Sequence, residues 1–203
     1  MSSIGTNCRN VVAVIAVAVV GVLGAGCVGE PDTVDPDSAN PDSALTPDEA
    51  EAPVKQAPPE LVAIRDQANE ILDEGTEGFT SRLAELEEAG IPVVVNKWAS
   101  WCAPCREEFP DFQRQAIERG DEIAFIGLLA NDGPETGGTF LSGLPVPYPS
   151  YLDPDQELAE ELEIAREFPS TVIIGSDGEV AYTKYGPYTD EETLAADIEE
   201  YAQ

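Results

Sequence analysis

The sequence predicts an α/β fold: a mixed β-sheet with helices on both faces, built from residues 59–203. Three observations predict it. Two apolar runs, "IPVVVNKWA" and "EIAFIGLLA", read as strands buried on both faces, and each is preceded by a stretch of helical period. A later pair of strand-like runs in "STVIIGSDGEVAYTKYG" is joined at "SDG", which signals a hairpin. Hydrophobic residues make up 42% of the 203-residue chain, enough for a sizeable core. Alternating elements that end in a hairpin imply both parallel and antiparallel pairing.

Taken in order, "PELVAIRDQANEIL" and "FTSRLAELEEAG" place apolar residues three and four apart, so the spacing predicts two leading helices, the second stopped near Gly90. The strand at 91–99 follows. A helix is expected from Ala103 to about Gly120, and then the strand at 122–130. The stretch "NDGPETGGTFLSGLP" reads as a short glycine-rich loop. "DPDQELAEELEI" opens a helix, with Asp153 as cap, Pro154 in its first position and Gln156 completing the box. The hairpin comes next. "TDEETLAADIEEYA" closes the chain as a helix, with Thr189 and Glu192 as a capping box.

The N-terminal part has a different texture. Residues 11–26, "VVAVIAVAVVGVLGAG", carry no charge. Sixteen residues are short for a span of about 20 and suit the apolar core of a secretory signal. "VLGAGC" resembles a bacterial lipoprotein signal, which implies lipidation of Cys27 after removal of residues 1–26. Gly24 stands where that family places its Leu, and an uncleaved anchor or plain secretion are the alternatives. Residues 27–58 are rich in Pro, Asp, Ser and Ala with no apolar period, so a disordered acidic tether is expected. The whole chain is strongly acidic, with 40 Asp+Glu against 10 Lys+Arg and a net charge of −30. No nucleic-acid partner is expected, since phosphate binding needs a basic face. The absence of histidine removes His-ligated metal sites and Cys-His or Ser-His catalytic pairs.

Chemistry concentrates in "WASWCAPCREEFP". Spacing alone leaves Cys102 and Cys105 open to three readings: a zinc clip, a structural staple or a redox pair. Zinc wants four ligands; Cys8 would go with the leader, and only Cys27, which would be lipidated, would be left besides the pair. A disulfide around so small a loop constrains little of the unfolded chain. A strand before the pair, a helix after it, Trp101 beside it and Pro104 inside it favour the redox reading. Cys102 would lie at the helix N-terminus, where free N–H groups and the dipole favour a thiolate nucleophile. Cys105, one turn further in, would be the more buried, resolving sulfur.

"VVVNKWASWCAPCREEFP" resembles the active-site segment of the thioredoxin superfamily, and most closely the TlpA/ResA-like thiol-disulfide oxidoreductases. The similarity runs over roughly residues 80–203, through "FPSTVIIGSDGEV" and "YGPYTDEETL". It implies a thioredoxin-like three-layer sandwich with a mixed β-sheet. It also implies that Pro169, after Phe168, is a cis-proline facing the cysteines, with Trp101, Pro104, Phe168 and Pro169 on the substrate side. Glu108 matches an acidic residue of the ResA-like group and is a candidate for proton transfer; an ordinary first-turn helix acid is the alternative. Asn96 stands where thioredoxins proper carry a buried Asp. Lys97 replaces an aromatic residue and reads as snorkelling at the surface. Trp98 reads as core. Tyr182, Tyr185 and Tyr188 read as core and hairpin packing.

The resemblance implies a tethered extracytoplasmic enzyme that exchanges electrons with protein thiols and disulfides, as a reductant in such work as preparing apocytochrome c, and that is recharged by a membrane electron donor. No metal or organic cofactor is expected, because the two sulfurs store the electrons. An oxidase that installs disulfides and a peptide-binding module without turnover are the alternatives. A peroxidase is disfavoured by the lack of a Thr-x-x-Cys signature, and copper chaperoning by the lack of histidine.

Overall fold

The computed structural model describes residues 45–54 and 56–203. The signal segment, Cys27 and the first part of the expected tether lie outside the described residues. Within the rest of that tether one short helix forms, α1 (Pro47–Ala50). Its cap explains it: Glu49 N–H donates to the Thr46 hydroxyl at 3.4 Å, and the Glu49 carboxylate accepts from Thr46 N–H at 2.9 Å.

The remaining elements are α2 (Pro59–Asp66), β1 (Ile71–Leu72), α3 (Gly75–Glu88), β2 (Val93–Trp98), α4 (Ala103–Arg119), β3 (Ala124–Ala130), α5 (Pro134–Gly143), β4 (Ser150–Asp153), α6 (Glu157–Glu161), β5 (Ser170–Ile174), β6 (Val180–Tyr185) and α7 (Glu191–Tyr201). Among the described residues the strands form one sheet in the order β1-β4-β3-β2-β5-β6. The β1–β4, β4–β3 and β3–β2 pairs are parallel, while β2–β5 and β5–β6 are antiparallel. The mixed α/β sandwich is therefore as the sequence predicts. Every residue of β2 and β3 is buried, as expected of strands covered on both faces.

Side chains alternate across β2, and this alternation places the site. On one face, Asn96 reaches Glu108 of α4 and Trp98 packs edge-on against Phe109 of α4, with ring centres 5.1 Å apart. α7 lies beside α4 there, joined by an Arg114–Glu191 ion pair at 2.7 Å. α2 is fastened to the same helix by Arg65, whose guanidinium donates to the Ala116 carbonyl at 3.1 Å. The opposite face carries α3 and α6. There Phe79 of α3 meets Tyr151 of β4 edge-on, with ring centres 5.2 Å apart.

Several elements depart from the sequence reading. The expected first helix stops at Asp66, Asn69 turns through φ +63°, and Ile71–Leu72 form a sheet-edge strand. β4 is only four residues long, too short for an alternating pattern to declare itself. α5 forms in the stretch read as a loop. Pro134 suits its first position, and Gly137 lies under Leu129, where an added Cβ would come within 2.4 Å of the leucine side chain. Close packing here outweighs the poor helix propensity of glycine. α6 starts at Glu157 rather than Pro154, because Asp153 ends β4 and caps α6 from there, accepting from Leu158 and Ala159 N–H at 3.1 and 3.0 Å. In α7 the cap is Asp190, which accepts from Thr193 N–H at 2.8 Å, in place of Thr189.

Gly127 lets the centre of the sheet close. The Trp98 indole N–H donates to the Ser150 hydroxyl at 3.1 Å across it, and a Cβ on Gly127 would lie 2.2 Å from that oxygen. Gly127→Ala is expected to cost about 1–3 kcal/mol, from overpacking and a broken buried bond. Gly138→Ala, with nothing within 4 Å, should be neutral or slightly stabilising. Denaturant midpoints of the two variants check this.

Candidate active site

β2 ends at Trp98, and the chain turns through Ala99–Trp101 into α4. Cys102 is the N-cap of α4: its backbone is extended (φ −85°, ψ 102°) and its Sγ accepts from Cys105 N–H at 3.2 Å. Pro104 lies in the first turn, where a missing N–H costs no helical bond. No acidic residue occupies that first turn, so nothing there offsets the positive end of the dipole. Cys102 and Cys105 are joined as a disulfide, with Cα atoms 5.3 Å apart. Cys105 is fully buried, and 3% of Cys102 is exposed.

The turn before the cysteines is held at two points. Ser100 N–H donates to the Asp132 carboxylate at 2.7 Å, and the Trp101 indole N–H donates to the Asn131 carbonyl at 3.1 Å. Trp101 is nevertheless 55% exposed, a large apolar surface beside the disulfide. Its other neighbour is Phe168, with ring centres 5.0 Å apart. The Phe168–Pro169 peptide bond is cis, and β5 starts at the next residue. The structure thus brings Trp101, Cys102, Pro104, Cys105 and Phe168–Pro169 to the end of β2 and the start of β5, which pair antiparallel.

Glu108, on the buried side of the cysteine helix, faces Asn96 of β2. Its carboxylate accepts from the Asn96 side-chain amide and from Tyr188 N–H, both at 2.9 Å. Burial pushes its pKa up to about 8, with the two hydrogen bonds opposing. The Asn96 carbonyl oxygen has no partner. A half-turn of that amide would offer the oxygen to a protonated Glu108, so either proton state of the acid can be satisfied. An ordinary exposed first-turn acid would show none of this.

Lys97 corrects the sequence reading outright. It is fully buried, not at the surface, and its ammonium donates to the carbonyls of Ile164, Ala165 and Glu167 at 2.7, 2.8 and 3.1 Å. Phe168 lies over it, 3.9 Å from nitrogen to ring centre. A signal for this was present: a lysine inside a run expected to be covered on both faces has no surface to reach. Tyr188 is also buried and supplies the backbone donor to Glu108, while Tyr185 is exposed at the edge of the hairpin. Among the described residues no group of three His, Cys, Asp or Glu side chains could hold a metal ion, and no helix is long and apolar enough to cross a membrane.

Residues 64–183 match the AhpC/TSA family, over more than half of the chain. The chain belongs to the AhpC/TSA family. Within that membership its relatives are redox proteins by name. It is 28% identical over 123 residues to sporulation thiol-disulfide oxidoreductase A of Bacillus subtilis, covering 56% of this chain and 74% of the relative. It is 29% identical over 134 residues to thiol-disulfide oxidoreductase ResA of Halalkalibacterium halodurans, covering 64% and 73%. The fold of this family member is that of the exposed lipoprotein thioredoxin Etrx1 of Streptococcus pneumoniae, at a TM-score of 0.51 and 22% identity over 58% of this chain and 89% of that one. The resemblance to ResA-like thioredoxin folds drawn from the sequence is upheld.

Proposed function

We propose that this protein is a thiol-disulfide oxidoreductase working outside the cytoplasm, which reduces disulfides in protein substrates and needs no cofactor beyond Cys102 and Cys105. The observation that carries the reading is the disulfide placed at the N-terminus of α4 beside an exposed Trp101 and the Phe168–Pro169 segment.

In the reduced protein the helix end favours the Cys102 thiolate, which attacks a substrate disulfide. One substrate sulfur leaves as thiolate, and Cys102 and the other form a mixed disulfide. Cys105 loses its proton and attacks Cys102 Sγ, which releases the second substrate thiolate and restores the Cys102–Cys105 disulfide. Two electrons pass to the substrate, and its thiolates take up protons. Glu108, on the same helix face three residues on from Cys105, is the candidate acceptor for the Cys105 proton. Trp101 and Phe168 offer the apolar surface, and Pro104 and Pro169 the backbone, against which an extended substrate strand lies. A membrane electron donor then reduces the disulfide again.

The reductant direction and a substrate such as apocytochrome c follow from the resemblance to the ResA-like group, and anchoring through a lipidated Cys27 follows from the resemblance of "VLGAGC" to a lipoprotein signal. Equilibration of the Cys102/Cys105 couple with glutathione, combined with insulin reduction driven by dithiothreitol, tests the reading. A potential below about −250 mV with catalysed insulin reduction is the expected result, whereas one near about −120 mV would make the protein an oxidase. Insulin binding without turnover would leave a peptide-binding module.

A further inference from the structure

The segment 162–169 connects α6 to β5 without helix or strand. A loop of this kind must still satisfy its backbone carbonyls. Here three of them, on Ile164, Ala165 and Glu167, turn inward to a single side chain from a strand more than sixty residues earlier. An ammonium has three N–H donors, and all three are used. Lys97 also stands opposite Ser170 in the β2–β5 pairing, so it sits at the root of the loop. The Ser170 hydroxyl donates to the same Glu167 carbonyl at 3.1 Å.

The contact chain then runs to the active site. The Lys97 ammonium lies 3.9 Å from the centre of the Phe168 ring, and that ring packs on Trp101, which immediately precedes Cys102. A buried cation against an aromatic face contributes more than an exposed one, because water does not compete. We propose that Lys97 is a positioning residue for substrate exchange: its ammonium gathers the 164–168 loop and so fixes Phe168 against Trp101, setting reactivity toward peptide disulfides rather than the chemistry of the sulfurs. This rests on the dithiol reading of the preceding subsection.

The same arrangement makes the wall that Phe168 and Trp101 form beside the cysteines sensitive to alkali. A neutral amine keeps two N–H donors and gains a lone pair, so one carbonyl loses its donor and the attraction to the ring is lost. Burial pulls the Lys97 pKa down to about 8, against the charges of Asp153 at the end of β4 and Glu167 in the loop. Asp153 is itself engaged by the N–H groups of Leu158 and Ala159. Glu108 titrates in the same range from the opposite face of the sheet, and it acts on thiol chemistry common to every substrate.

A ratio separates the two effects. In a Cys105→Ser background, Cys102 thiolate attacks a disulfide and stops at the mixed disulfide, releasing one thiolate. The second-order rate constant is measured with a disulfide-bridged peptide lacking other titratable groups, and with the small aromatic disulfide DTNB, which makes little use of the wall. Changes in the Cys102 thiolate fraction cancel in the quotient of the two. With Lys97→Met the peptide-to-DTNB quotient is expected to fall at least fivefold at pH 7; a smaller change overturns the proposal. With Lys97 intact the quotient is expected to decline at least fivefold between pH 7 and pH 9.5. A quotient independent of pH overturns the proposal even if the methionine variant does not fold. Failure of Cys102 to react with DTNB at all would instead strike the dithiol reading.

Discussion

Cys102→Ser is expected to abolish insulin reduction, and Cys105→Ser to convert the protein into a trap. The first loss should be at least about 10³-fold, the scale seen when a nucleophile is removed from an active site. Serine keeps the fold for a local reason. As the N-cap of α4 its hydroxyl can accept from Cys105 N–H as the sulfur does, and serine is among the preferred N-cap residues. A loss of turnover without a loss of helix therefore reports on chemistry. The two cysteines are not equivalent, because Cys105 is sealed from solvent while Cys102 retains a small exposed surface beside Trp101. An incoming disulfide meets Cys102 first. Without Cys105 the mixed disulfide has no internal attacker and accumulates, visible by mass as an adduct that dithiothreitol reverses. Adducts forming on Cys105 in the Cys102→Ser protein, or undiminished turnover in the Cys105→Ser protein, would reverse or remove the assigned roles.

What could be read from the sequence was what is local in it. β2, β3 and α4 each present an uninterrupted run of one texture, and the structure places them within a few residues of where the pattern does. The cysteine pair is legible for the same reason: strand, turn and helix are contiguous, and the chemistry follows from a helix end. The misses share another cause. β1 and β4 have two and four residues and are defined by pairing, β4 against β3 and β1 against β4, rather than by a local pattern. α5 is helical because Gly137 allows close approach to Leu129, a contact invisible to propensity. The start of α6 moved because Asp153, the expected cap, serves it from the end of β4, and the cap of α7 passed from Thr189 to Asp190. Lys97 is the largest miss: the covered strand signalled that it could not reach water, but the carbonyls that receive its ammonium lie 67 to 70 residues away and no local pattern announces them.

Glu108 should make stability depend on pH in a window where cysteines play no part, provided the protein is oxidised. Its pKa in the folded state is raised from an ordinary 4.5 to about 8, chiefly by burial. The folded chain therefore holds this proton more tightly than the unfolded one. The stabilisation is fully present below pH 4.5 and is lost as pH rises through about 8, amounting to a few kcal/mol across the window. Lys97 acts in the next window up. Its pKa is depressed from 10.5 to about 8, so its burial penalty is relieved only as pH climbs from about 8 toward 10.5. Glu108→Gln isolates the first effect. Glutamine keeps an oxygen for Tyr188 N–H, and its amide N–H can donate to the Asn96 carbonyl oxygen that now lacks a partner, after a half-turn of the asparagine amide. The variant should be less dependent on pH than the parent from pH 5 to 8 and the more stable of the two at pH 8, measured by denaturant midpoints of the oxidised proteins. Parallel curves would mean that the acid is already ionised at neutral pH. Removal of the same proton acceptor should slow release of the mixed disulfide by about 10²-fold at pH 8, where the ionised, accepting form is well populated, the lower end of what a positioned acid or base contributes. Release rates that match the parent while the stability curve flattens would leave Glu108 as a buried acid with no share in the exchange.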